Sequence, residues 1–182
     1  MELDLTTELD KQLSWHWENQ LWPRWQGLTD DEYLWEPVDG AWSVRPEGDA
    51  ASPAPMGSGS ARIDWARPVP EPAPVTTIAW RAGHILVGIY GDRNARYFGG
   101  PPTSYPDYDY PLTADDALDR LDQGYRTWIA GVRGLTAADL AQNCREPGFE
   151  SDSMMALILH INRELIHHGA EISLLRDLYA RQ

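Results

Sequence analysis

The sequence predicts an all-α protein, a four-helix bundle with a long Pro/Gly-rich insertion between its first two helices. Three observations lead there. Four stretches carry apolar residues at helical spacing, and none shows the sustained apolar–polar alternation of a strand. A region dense in Pro, Gly, Ser and Ala separates the first two of these stretches. At 182 residues the chain suits one domain with one core, taken as residues 1–182.

Residues 3–25 line up Leu5, Leu9, Leu13, then His16 or Trp17, then Gln20 or Leu21, and Pro23 must end or kink that helix. Residues 27–75 form the irregular insertion. Within it, Leu28 to Glu32 suggests a cap at Thr29 or Asp30 and a single helical turn. Trp42-Ser43-Val44 then leads into the Pro/Gly-rich stretch ending at Pro74. That stretch holds too few apolar residues for a core and too many helix and strand breakers for a regular hydrogen-bond ladder. A surface loop is expected there, with Ile63 and Trp65 as its bulky anchors.

Thr76 or Thr77 caps a second helix reaching about Phe98, closed by Gly99-Gly100-Pro101-Pro102. Gly83, Gly88 and Gly91 lie inside it, and each costs about 1 kcal/mol of helix propensity relative to Ala, so the helix should approach a neighbour closely. Tyr105 to Tyr110 make an aromatic loop. Thr113, with Asp115 and Asp116, opens a third helix through Leu118, Leu121, Tyr125, Trp128 and Val132. Thr136 caps a short turn to Leu140. The last helix is expected from about Ser151 to Tyr179, with Leu157, Ile161, Glu164/Leu165, His168, Ile172, Leu175 and Tyr179 on its inward stripe.

The formal net charge of −13 would be repelled by a phosphate backbone or an anionic lipid surface, so neither nucleic acid nor membrane is expected as a partner. One cysteine, Cys144, rules out an intrachain disulfide and a four-Cys zinc site. It falls in a loop without a His nearby, and packing is its plain role. The acidic start lacks the basic and apolar regions of a signal peptide, and no apolar run approaches a membrane span, so a cytoplasmic protein is expected. Nine Trp and eight Tyr against two Phe suggest a core and pocket walls built from aromatics with a polar handle.

All five histidines fall in expected helices. Glu164 and His168 are four apart and lie one above the other on an apolar stripe. A carboxylate there needs a partner, and a metal cation is one. His84, one turn from Trp80 and Gly88, should face inward too. Two imidazoles and a carboxylate with an open position form a catalytic zinc set, equally suited to Fe(II), Ni(II) or Co(II). The bland alternatives are a surface Glu–His pair and a hydrogen-bonded core histidine. His160 competes with His84 as third ligand or supports the site by a hydrogen bond. His167 points about 100° away from His168 and reads as exposed; His16 could approach from the first helix. Neither a phosphate-cradling Gly loop nor a Gly-x-Ser-x-Gly elbow is present.

Trp42-Ser43-Val44 before a helix, His84 within it, and Glu164-x-x-His167-His168-Gly169-x-Glu171-Ile172 in the last helix resemble the DinB-like (DinB/YfiT) four-helix bundle superfamily. The resemblance spans nearly the whole chain apart from the insertion. The common pattern there is one His from the second helix and a His-x-x-x-His pair from the fourth, holding zinc or nickel. Here Glu164 replaces the first member of that pair, as in the subgroup of mycothiol-dependent enzymes similar to maleylpyruvate isomerase. The resemblance implies a divalent metal (zinc or nickel) on His84, Glu164 and His168, a mycothiol-type thiol and an electrophilic substrate, thiol transfer or isomerisation, and a homodimer. Trp42, Trp80, Arg81 and Arg163 are the candidates for pocket walls and anion recognition, with ordinary packing and surface charge as the alternative for each. A metal-dependent hydrolase uses the same ligands, and a non-catalytic metal-containing bundle that binds a ligand or partner is the second class of reading.

Overall fold

Each long helical rod begins where a short polar side chain caps it. The computed structural model describes residues 4–182. In it, Asp4, Thr77, Thr113 and Ser153 each accept a hydrogen bond from the backbone N–H three residues on, satisfying one of the donors that a helix start leaves free. The first rod is α1 (Leu5–His16), a π-helical segment (Trp17–Leu21) and α2 (Trp22–Trp25). Pro23 explains the break. It has no N–H to give and its ring crowds the carbonyl four residues back, and the helix widens just before it. After α3 (Asp30–Tyr33) and two short strands, the second rod is α4 (Ile78–His84), a second π-helical segment (Ile85–Gly91) and α5 (Asp92–Tyr97). α6 (Ala114–Arg133), α7 (Ala137–Ala141) and α8 (Met154–Tyr179) complete the chain.

The fold is mostly helical. α1 packs on α6 and α8, and α4 packs on the same two helices from the other side. Between them lie Leu13, Trp25, Ile85, Tyr90, Leu121, Trp128, Ile158, Ile161 and Leu165, all essentially without exposed surface. Among the described residues no helix is long and apolar enough to cross a membrane. The last helix starts at the Ser153 cap, later than Ser151. The backbone bonds Cys144 N–H to Asp152 O and Met154 N–H to Gln142 O hold Asp152 to Met154 against the 142–144 loop.

Residues 27–75 are more regular than their composition suggests. β1 (Val44–Pro46) and β2 (Ala61–Ile63) pair antiparallel with Val44 opposite Ile63. The expectation of no hydrogen-bond ladder is corrected here, because a buried carboxylate organises the backbone that the composition could not. Asp64 has no exposed surface. Its Oδ2 accepts from Ser43 N–H and Arg45 Nε, and its Oδ1 from Ala51 N–H and Ser52 N–H, each at 3.0 Å. Four donors from two separate stretches, 43–45 and 51–52, are thereby gathered on one side chain. The Asp64 carbonyl accepts the Trp80 indole N–H at 2.9 Å, and Trp42 exchanges backbone bonds with Val75 and Thr77, so the insertion is tied to the start of α4.

Breaking a buried, fully partnered carboxylate costs about 3–5 kcal/mol. Asp64→Ala should therefore lower the urea midpoint strongly and open residues 47–60 to limited proteolysis, with Asp64→Asn intermediate.

Candidate metal centre

His84 closes α4 and His168 lies at the middle of α8, so the packing of those two helices brings the rings together, edge to face, with centroids 4.7 Å apart. His168 is 8% exposed. Its Nδ1 lies 2.8 Å from Glu171 Oε2, and a carboxylate can only accept, so the neutral ring carries its proton on Nδ1 and its lone pair on Nε2. That lone pair faces Glu164 Oε2 at 3.6 Å. His84 Nδ1 is 2.6 Å from the Tyr105 hydroxyl, and no partner is found for its Nε2 among the described residues. Burial, reinforced by the neighbouring His168, Arg81 and Arg93, holds the His84 pKa down at about 3. Burial lowers His168 as well, outweighing the Glu171 carboxylate. Both rings are neutral at pH 7 and so available as lone-pair donors.

Around this pair the remaining sequence candidates separate. Trp80 stacks on His84 with ring centroids 5.6 Å apart, and the buried Trp42 lies 6.3 Å from Trp80. Arg81 lies 3.0 Å from Glu171 Oε2 and 3.4 Å from His168 Nδ1, with its guanidinium over the Trp80 ring. Arg163 is 68% exposed, 2.6 Å from His160 Nδ1 and 3.7 Å from Glu164. His160 itself is 3.6 Å from Glu164 Oε1, beside the carboxylate and away from the two facing rings. His16 lies on the first rod, its Nε2 buried without a partner. Cys144 is buried, donating to Phe149 O.

Two residues of the centre carried no assigned role in the sequence: Tyr105 and Glu171. Glu171 had a legible signal, since three residues after His168 puts it on the same helix face. Tyr105 had none, because only the folding of the aromatic loop over the second rod brings it to His84. Gly88 shows how close that approach is. A Cβ there would overlap the Tyr105 hydroxyl and come within 3.1 Å of the His84 ring, while one at Gly83 would meet Ile63 and Tyr110. The helix-breaking glycines are thus the places where the loop and the insertion press on the second rod.

A sequence model of the DinB superfamily matches residues 58–172, more than half of the chain. The chain belongs to the DinB superfamily. No curated protein and no solved structure matches it. The match covers His84, Glu164, His168 and Glu171 of this DinB-superfamily chain and begins at Ser58, within the stretch expected to be an insertion. Among the described residues the His/Glu group with its ligand atoms set closest is a different trio: His167, His168 and Glu171 bring one ligand atom each within 4.8 Å of one another, and that group could hold a metal ion.

Overpacking at a tight contact costs about 1–3 kcal/mol. Gly88→Ala should lower stability by that amount in urea unfolding. Tyr105→Phe, which removes the overlapping oxygen, should recover part of the loss in the double variant, with a coupling of about 0.5–3 kcal/mol in the double-mutant cycle.

Proposed function

We propose that this protein is a metal-dependent thiol transferase or isomerase, with a divalent cation, zinc or nickel, held by His84, Glu164 and His168. One observation carries the metal assignment. The His168 Nε2 lone pair and the Glu164 carboxylate face each other across 3.6 Å with no proton between them. Two acceptors so placed repel unless a cation sits between them. With metal–ligand bonds of about 2.0–2.2 Å, tetrahedral ligand atoms stand about 3.4 Å apart, close to this spacing. The outer contacts agree: Glu171 holds His168 from behind at Nδ1 and Tyr105 holds His84 there, as outer hydrogen bonds orient metal-binding imidazoles.

The His167–His168–Glu171 trio is the weaker arrangement. Using His168 Nδ1 as a ligand would require displacing the proton that Glu171 holds. The cation would also face the Arg81 guanidinium, 3.0 Å from Glu171 and 3.4 Å from Nδ1. Arg81 is better read as fixing Glu171, and through it the orientation of His168.

A divalent cation in this site supplies a Lewis acid that lowers the pKa of a small-molecule thiol brought to it. The chain's residues bind and orient that thiol. Trp80, held by Trp42, fixes the His84 ring, and exposed Arg163 stands where it can meet a polar or anionic arm of the thiol. The superfamily membership and the substitution of Glu164 for a third histidine support mycothiol-type chemistry over hydrolysis.

Elemental analysis of protein purified without chelator should give about one equivalent of zinc or nickel. His84→Ala and His168→Ala should lose it and Glu164→Gln should retain little, while His167→Ala keeps it. Full occupancy in His168→Ala sinks the site, and loss in His167→Ala with retention in Glu164→Gln shifts it to the second trio. Removing an outer hydrogen bond typically weakens a metal site by about 10–100-fold, the decrease expected for Tyr105→Phe in a competition titration against a chelating dye. The loaded protein should turn over mycothiol, bacillithiol or glutathione with an electrophile such as a chlorinated nitroarene or a cis-olefinic diacid. Absence of turnover with all three thiols removes the transferase reading and leaves the metal site standing.

A further inference from the structure

A cavity on the other side of Tyr105 has features that the metal centre does not use. It holds about 560 Å³, within the range of small-molecule sites. Met56 and Trp65 from residues 27–75 and Val87, Gly88 and Tyr105 from the second rod and the aromatic loop line it. Trp65 and Tyr105 meet at a tilt of 44° with ring centroids 5.3 Å apart, making an aromatic corner.

Arg67 stands at the cavity's edge and is exposed. Among the described residues it is the one cationic side chain with neither an ion pair nor a hydrogen bond; every other Lys or Arg has a partner. In a chain with 28 acidic residues against 15 basic ones, that isolation stands against the electrostatic trend. Of the other charged and hydroxyl groups around the cavity, each has a partner, and only the Arg93 Nε is left without one among the described residues. Arg93 is bound to the Gly88 carbonyl and to Glu146, Asp92 to Arg96, Ser104 to Asp107, and Thr103 to the Pro101 carbonyl. The cavity therefore presents apolar and aromatic walls and one unspent positive charge.

We propose that this cavity binds a small aromatic carboxylate, its ring against Trp65 and Tyr105 and its carboxylate on Arg67. Arginine offers a planar fork of donors matched to a carboxylate, and aromatic walls favour a flat ring over a flexible chain. A single free arginine in a strongly acidic protein suits a monoanion better than a polyanion. The site is built by the insertion, since Met56, Trp65 and Arg67 all come from it.

The test uses the full chain, with 1-naphthylacetate and its neutral isostere 1-naphthylacetamide as probes, titrated by calorimetry in excess EDTA. Without metal in the assay, a failure of the metal assignment leaves this result untouched. A charged hydrogen bond contributes about 1.5–3 kcal/mol, so the acid should bind at least about tenfold more tightly than the amide. Arg67→Ala should bring the acid down to the affinity of the amide. Arg67 is exposed and contacts no partner, so this variant keeps the fold, as its unchanged urea midpoint should report. Magnetisation transfer from the probe's ring protons should reach the Met56 methyl. Equal affinities for acid and amide, unchanged acid affinity in Arg67→Ala, or binding without contact to Met56 would each overturn the proposal.

Discussion

A carboxylate with no exposed surface, Asp64, is the point from which the functional end of the molecule is assembled. Its two oxygens hold four donors from residues 43–52, and its carbonyl holds the Trp80 indole. Trp65 follows directly, stacks on Trp80 and meets Tyr105 at a tilt. Tyr105 in turn holds His84. Leaving such a charge buried and unpaired would cost several kcal/mol, so the chain around it has little freedom. Residues 43–65 are thereby tied to α4, which carries His84.

The same rule, that buried polar groups must be partnered, accounts for the order within the centre. His168 donates a hydrogen bond from Nδ1 to Glu171, and Glu171 pairs with Arg81. His84 is matched to Tyr105. Each imidazole is thereby turned by a contact on its Nδ1 side, which leaves its Nε2 as the other ring nitrogen. The two π-helical segments fit this economy of contacts. The second lies directly after His84, and the Gly88 carbonyl within it is taken up by Arg93. Wide turns of this kind often accompany functional sites because they release backbone groups from the regular ladder.

Much of the helical framework was legible because caps and periodicity are local. Thr77, Thr113 and Thr136 start helices where their side chains can reach a free N–H three residues on. The Glu164–His168 pair was legible for the same reason, since a spacing of four means one face whatever the rest of the chain does. The glycines of the second rod signalled close approach, though not what approaches. The π turns were hidden: Pro23 announced a break but not its form. β1 and β2 were hidden because their pairing depends on Asp64, and nothing in the composition of 44–63 distinguishes a bracing carboxylate from an exposed one.

By itself, then, the sequence determined the helix class, the positions of the caps and which side chains share a helix face, because those are set by interactions within a few residues. Tertiary structure decided what faces the shared surface. Only the crossing of α4 and α8 brings His84 to His168, and only the folded loop brings Tyr105 to the Nδ1 of His84. Only the docking of the insertion makes the Trp65–Tyr105 corner with Arg67 free at its edge. Those are contacts between residues tens of positions apart, chosen by burial and by the pairing of charges rather than by local spacing.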